Sequence, residues 1–218
     1  LTSSDSIDFV ILLGNVLDLG TPSDGTVTNA KLAQDIISGE TALAVAPADT
    51  DEFLVSDAGT LKRIDYSLIK ASNTPAFEAY LSSNQTISSA SLTKAQINTE
   101  VVDTASAYDN SSNYRFTPQT AGKYFVYGNL TMYSSSASTV NGVIIAIYKN
   151  GSNYKAQDAT PANNESTRET LGTCAIIDFN GSSDYVELYA YLDVDSGTAY
   201  VQSGDKYSNF GAYKLIGV

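Results

Sequence analysis

Beyond residue 72, apolar residues arrive in short bursts separated by Ser, Thr, Asn and Gly. The bursts Pro75–Leu81, Ile97–Asp103, Gly122–Met132, Asn141–Tyr148, Thr173–Phe179, Asp184–Asp193, Ala199–Val201 and Asn209–Val218 read as strands. Lys149-Asn150-Gly151 and Asn180-Gly181-Ser182 mark turns, because asparagine and glycine tolerate positive φ. No helical periodicity intervenes. Many short strands with polar turns predict an all-β, antiparallel sandwich, most simply a jelly roll, over residues 72–218.

The first 71 residues carry a different pattern. Residues 1–20 alternate with a period of two, Ile7, Phe9, Ile11 and Leu13 opposing Asp8, Val10 and Leu12. Both faces are apolar, and the chain opens on Leu1 rather than Met. We expect this strand to close a truncated upstream domain, or to pack on copies of itself. Residues 21–71 read as a linker or shaft segment. Thr21–Gly25 is a turn, and Thr28-Asn29 can cap a helix through Leu32, Ala33, Ile36 and Ile37, stopped at Ser38-Gly39. A short strand over Leu43–Ala46 precedes a hairpin of Glu52–Val55 and Leu61–Tyr66 about the turn Ser56–Gly59. Elements this few and this short cannot bury a core in one chain, so self-association along an axis is expected to supply it.

Charge and composition narrow the function. Twelve basic residues face 24 acidic ones, a net charge of −12. The nearest thing to a basic patch is Lys62-Arg63, so a nucleic-acid partner is not expected. No apolar run approaches the roughly 20 residues of a membrane helix, and no membrane insertion is expected. The single cysteine, Cys174, sits in a strand-like run and reads as a core thiol. Histidine, the usual base for a thiol nucleophile, is absent. Binding and assembly are expected rather than catalysis.

The order of motifs in residues 72–218 resembles the C1q-like branch of the C1q/tumour-necrosis-factor jelly-roll family. Pro75-Ala-Phe-Glu-Ala79 is similar to its opening strand. Asp103, Tyr108-Asp109, Phe116, Gly122 and Tyr124 follow its central signature, and Lys149-Asn-Gly151 resembles a usual turn. Asp184-Tyr-Val-Glu-Leu188 and Phe210-Gly-Ala-Tyr-Lys-Leu215 look like its last strands. There are departures: one extra residue between Tyr108 and Phe116, Ile97 for a phenylalanine, Val126 and Gly128 for two aromatics, and no collagenous stalk. Gly20-Thr-Pro-Ser-Asp-Gly-Thr-Val-Thr-Asn-Ala-Lys-Leu32 and Thr50-Asp-Glu-Phe-Leu-Val-Ser-Asp57 resemble segments of bacteriophage tail fibres and related virion appendages. Together these resemblances imply a homotrimeric shaft carrying a C1q-like head, located on the virion and exposed to the medium, with other tail proteins as neighbours.

Alternation then nominates an interface. If Val186 and Leu188 face the core, Tyr185, Glu187, Tyr189 and Tyr191 face away. If Tyr124 and Val126 face the core, Phe125 and Tyr127 do not. In the resembling family such a sheet lines the three-fold axis, which implies Phe125, Tyr127, Tyr185, Tyr189 and Tyr191 as the trimer interface. Burying each ring contributes roughly 1.5–3 kcal/mol, against roughly 4–15 kcal/mol for association. The alternative is that the rings belong to one enlarged subunit core.

The polar loops Ser134–Thr139 and Gln157–Glu169 are candidates for recognition, with Tyr154, Lys155, Asn163 and Asn164 as residues that would meet a host glycan or protein receptor. No cofactor is expected. Asp193-Val-Asp-Ser-Gly197 superficially resembles a calcium loop, making Asp193 and Asp195 weak metal candidates, but it lacks a third ligand and a closing glutamate. The sequence supports a receptor-binding fibre head first and a purely structural fibre or capsid decoration second. A polysaccharide depolymerase comes last, because no carboxylate pair such as Glu165 and Glu169 is singled out by its placement.

Overall fold

The computed structural model describes residues 31–32, 35–161 and 166–217. The expected strand at 7–13, the turn at 21–25 and the cap at 28–29 lie outside the described residues. The chain divides into two compact units, Leu1–Ile69 and Lys70–Val218.

In the first unit, β1 (Glu52–Asp57) and β2 (Thr60–Asp65) form an antiparallel hairpin with Phe53 opposite Ile64. Its turn is Ala58-Gly59, with φ of 50° and 85°. Two successive left-handed residues match the twist of the flanking strands, so the hairpin closes two residues tighter than the expected turn. Helix α1 (Tyr66–Ile69) follows, its Tyr66 N–H donating to the Asp51 carbonyl at 2.8 Å. Two expectations are corrected. Leu43–Ala46 is irregular rather than a strand, and Asp35–Gly39 is a turn rather than helix, closed by Gly39 N–H on the Asp35 carbonyl. Among the described residues, neither segment pairs with a strand on which to lay an apolar side.

The second unit contains β3 (Ala76–Tyr80), β4 (Gln85–Ile87), β5 (Thr93–Lys94), β6 (Thr99–Asp103), β7 (Tyr108–Asp109), β8 (Arg115–Phe116) and β9 (Gly122–Ser134). Then come β10 (Val140–Lys149), β11 (Ser152–Ala159), β12 (Arg168–Phe179), β13 (Val186–Val194), β14 (Ala199–Val201) and β15 (Asn209–Lys214). The pairing is nested. β10 pairs with β11, β9 with β12, β8 with β13 and β3 with β15, all antiparallel. The first long strand thus meets the last and the innermost two meet each other, which is the jelly-roll arrangement. A seven-stranded sheet is built around β12, β9, β15 and β3, and a six-stranded one around β11, β10, β13 and β8.

The facing sides hold the core. Phe77 from the larger sheet stacks on Tyr108 and Phe116 from the smaller one, each at 4.5 Å between ring centres. Phe210 meets Phe77 edge-on at 5.2 Å, and Tyr124 meets Phe179 at 5.0 Å. Tyr108, Phe116 and Tyr124, which mark the central signature, therefore meet in one aromatic cluster. Tyr108 is buried with its hydroxyl donating to the Ile97 carbonyl at 2.8 Å, and burial pushes that hydroxyl far above its ordinary pKa. Gly128 faces inward, where a Cβ would sit 2.6 Å from Leu188 Cδ1, so the leucine of the opposite sheet fills the space of the missing side chain.

Two further differences from the sequence expectation have a common cause. β11 is a full strand, and β12 begins at Arg168 rather than Thr173, so the expected long loop shrinks to the stretch between Ala159 and Arg168. β11 forms the outer edge of the smaller sheet, pairing only with β10, and most of it is exposed. Its polar sequence, Ser-Asn-Tyr-Lys-Ala-Gln-Asp-Ala, satisfies an edge strand while showing no apolar face to read.

Candidate functional site: the two outer faces of the sandwich

The outward side of the larger sheet is organised in cross-strand rows. One row runs Ile176, Phe125, Tyr213 and Ala76, and the next Cys174, Tyr127, Gly211, Glu78 and Val102. Phe125 lies 5.6 Å from Tyr213 and 6.1 Å from Tyr127, ring centre to ring centre. Gly211 allows the Tyr127 ring to lie flat across β15, because a Cβ there would come within 2.4 Å of the ring. The Tyr127 hydroxyl donates to Glu78 Oε2 at 3.1 Å. Burial first, and the Glu78 charge second, push it up to about 12.

Around these rings the apolar surface stays uncovered. Ile176 is 57% exposed, and Val102 and Tyr213 are also exposed. Polar pairs bound the patch: Lys123 with Asp178 at 2.8 Å on one side, and Asn129 with Asn209 at 2.9 Å on the other. An apolar centre with a polar rim is the anatomy of an association surface. Cys174 belongs to this face and is exposed, which corrects its reading as a core thiol. The alternation of β12 places Thr173 and Ile177 inward and Cys174 outward.

The outward side of the smaller sheet is built differently. Tyr185, Tyr189 and Tyr191 all lie here, on β13 and its approach, opposite in the sandwich to Phe125 and Tyr127. The grouping of five rings on a single surface is therefore corrected: two are on one sheet and three on the other. Three-fold packing through one sheet cannot engage both sets.

Much of this second face is already occupied within the subunit. Glu187, at an outward position, is only 4% exposed, and Lys94 Nζ contacts its Oε1 at 2.5 Å while also donating to the Asn113 carbonyl at 3.1 Å. Tyr148 lies against Tyr189 at 4.2 Å, and the Arg115 guanidinium sits 4.5 Å from the centre of Tyr185. Burial first, and the Glu187 charge second, raise the Tyr189 hydroxyl above its ordinary value. Nearby, Asp184 accepts from Asn150 Nδ2 at 2.8 Å and meets Lys149 at 3.0 Å, which hold its carboxyl below the usual range.

The remaining candidates separate. Tyr154 and Lys155 lie on strand β11. The Tyr154 hydroxyl donates to the Ile176 carbonyl at 3.2 Å, tying β11 to β12 across the open edge of the sandwich. Lys155 lines a shallow groove of about 410 Å³ together with Tyr127, Asn129, Gln157 and Cys174. Asn163 and Asn164 lie outside the described residues. Asp193 is near the end of β13, and Asp195 accepts from Asn141 Nδ2 at 2.7 Å in the turn that Gly197 completes with φ of 83°. Among the described residues no three acidic, histidine or cysteine side chains come together as a metal site would require.

No protein-family model matches the sequence, and no curated protein matches it. Solved structures are similar to it. One is the Eiger TNF of S. frugiperda, at 11% identity and a TM-score of 0.49, covering 66% of this chain and 93% of that one. Another is the globular domain of zebrafish complement 1qA protein, at 11% identity and a TM-score of 0.47, covering 65% of this chain and 98% of that one.

Proposed function

We propose that this protein is the homotrimeric head and adjoining shaft of a bacteriophage tail fibre, binding a host cell-surface receptor during attachment. The observation that carries the reading is the apolar centre on the outer face of the larger sheet, where exposed Ile176, Tyr213 and Val102 surround the half-buried Phe125 and Tyr127 inside a polar rim. The first unit supports it independently. Its hairpin leaves Leu54 76% and Leu61 69% exposed on one side, and Phe53 and Val55 exposed on the other. A hairpin apolar on both sides is stable when other chains cover it. The resemblance of Thr50–Asp57 to tail-fibre segments falls on β1 of that hairpin. The head is read as binding rather than catalytic, in a chain that contains no histidine.

The first test is solution mass. Light scattering should report three chains of 23.1 kDa each, and a monomer at micromolar concentration refutes the assembly. Cys174, the only cysteine, gives a second readout on the same face. A bulky maleimide should label it slowly in the native protein and rapidly once the trimer is broken.

A knob that only locks the fibre is the second reading, favoured by one observation: the Tyr154 hydroxyl is engaged by the Ile176 carbonyl rather than presented outward. Fluorescently labelled protein applied to a panel of bacterial strains separates the two. A receptor-binding head stains susceptible cells and blocks phage adsorption to them, and a structural knob does neither.

A further inference from the structure

A cavity of about 260 Å³ opens on the outer side of the smaller sheet, where β10, β11 and β13 run side by side. The register places Asp158, Ile144 and Tyr191 in one cross-strand row, and Gly142 opposite Asp193 beside it. Ile144 forms an apolar floor. The Tyr191 ring stands at one side, half-buried, while Asp158 and Asp193 bring carboxylates from two different strands and Thr160 adds a hydroxyl. A Cβ built on Gly142 meets nothing within 4 Å, so the floor continues as open space over that residue. Neither Asp158 nor Asp193 has a hydrogen-bond or ion-pair partner among the described residues. This sets the pair apart from Asp178, Asp184 and Glu187, each of which meets a lysine.

We infer that this cavity binds one neutral sugar ring of a cell-surface polysaccharide. A pyranose has an apolar C–H face and a rim of hydroxyl donors. Ile144 and Tyr191 suit the former, since an aromatic ring offers a broad contact at little entropic cost. The two carboxylates suit the latter, because each can accept charge-assisted hydrogen bonds from hydroxyls, and no described residue supplies them. Acidic sugars are repelled twice, by these carboxylates and by the net charge of −12. A hard divalent cation would need six or more oxygens, and the described residues bring only two carboxylates.

The inference rests on the fibre-head reading only for the source of the sugar. The cavity lies on the sheet opposite the proposed trimer face, so three copies stay open in the assembly. Individually weak sites then gain roughly 10²–10⁴ in avidity on a surface that repeats the sugar.

Saturation-transfer NMR on the full chain with glucose, galactose, mannose and N-acetylglucosamine tests it, with glucosamine and sialic acid as comparisons and calcium chloride followed by titration calorimetry. At least one neutral sugar should bind in the millimolar range. Gly142→Leu, which projects into the open space, should weaken it at least tenfold, and Asp158→Asn, at an exposed strand position that cannot unfold the protein, about tenfold. The inference is overturned if no neutral sugar binds, if only glucosamine or calcium does, if sialic acid binds as well, or if both variants bind like the parent. A failure here with the three-chain mass intact rejects the cavity alone, whereas a monomeric mass rejects the head.

Discussion

The two outer faces of this sandwich carry similar numbers of aromatic rings and yet are physically unlike. On the smaller sheet, Tyr148 lies against Tyr189 and Tyr185 carries the Arg115 guanidinium, beside the largely buried Lys94–Glu187 pair. On the larger sheet, Phe125, Tyr127 and Tyr213 surround no ion pair among the described residues, and Ile176 and Val102 beside them meet water. Rings on an outward position thus do not define an interface. What separates the faces is whether a largely buried ion pair or exposed aliphatic side chains lie beside the rings.

The strongest way to break the comparison is to charge the bare face. If the proposed trimer forms, Phe125→Asp combined with Tyr213→Asp should convert it to one chain by light scattering and expose Cys174 to alkylation. Tyr189→Asp, on the other face, should leave the mass at three chains while lowering stability. If both variants dissociate alike, the distinction between the faces is wrong.

Next in size is the ion pair. Lys94→Met leaves the Glu187 carboxylate without its partner. Such a loss costs about 3–5 kcal/mol in a fully buried pair, and about 2–3 kcal/mol here because the Lys94 side chain is 30% exposed. Urea unfolding measures it. The double variant Lys94→Met with Glu187→Leu should recover most of the loss, because a packed apolar pair carries no desolvation penalty.

A subtler change sharpens the larger face without adding charge. Gly211→Ala forces the Tyr127 ring off β15, since the new methyl would overlap it. We expect a weaker trimer, seen as dissociation at higher protein concentration than the parent, with subunit stability lowered by about 1–3 kcal/mol.

The smallest effect is in acid. Asp109 on β7 accepts hydrogen bonds from the Ser111, Ser112 and Asn113 backbone and from Asn113 Nδ2, which hold its carboxyl well below the usual range. A carboxyl whose folded pKa is depressed stabilises the fold above about pH 4 and loses that contribution as the pH falls. Asp184 is shifted in the same direction. Asp109→Asn should therefore flatten the decline of melting temperature below pH 4, and an unchanged slope would show that this carboxylate is not a source of the acid sensitivity.

Most of the strand pattern was legible because inward residues of each strand alternate with polar or aromatic ones. Pro75–Leu81, Gly122–Met132, Asn141–Tyr148 and Asp184–Asp193 all fall on or overlap strands of the structure. β11 was not legible, since an exposed edge strand needs no apolar face, and neither were two-residue strands such as β7 and β8, too short to show a period. Leu43–Ala46 looked like a strand only because its residues are apolar, and no described residue pairs with it.

The amino-acid sequence by itself determined that residues beyond 72 make antiparallel strands, which positions of β9 and β13 turn inward, and that the chain is acidic. Those properties depend on neighbours one or two residues away and on simple composition. Which sheet a strand joins depends on pairings between residues far apart in the chain, as β3 with β15 or β8 with β13. Alternation therefore separates inside from outside but does not say which outside. Only the tertiary structure could place Tyr127 and Tyr189 on opposite faces, and bring Ile144, Asp158 and Tyr191 from three strands into one row.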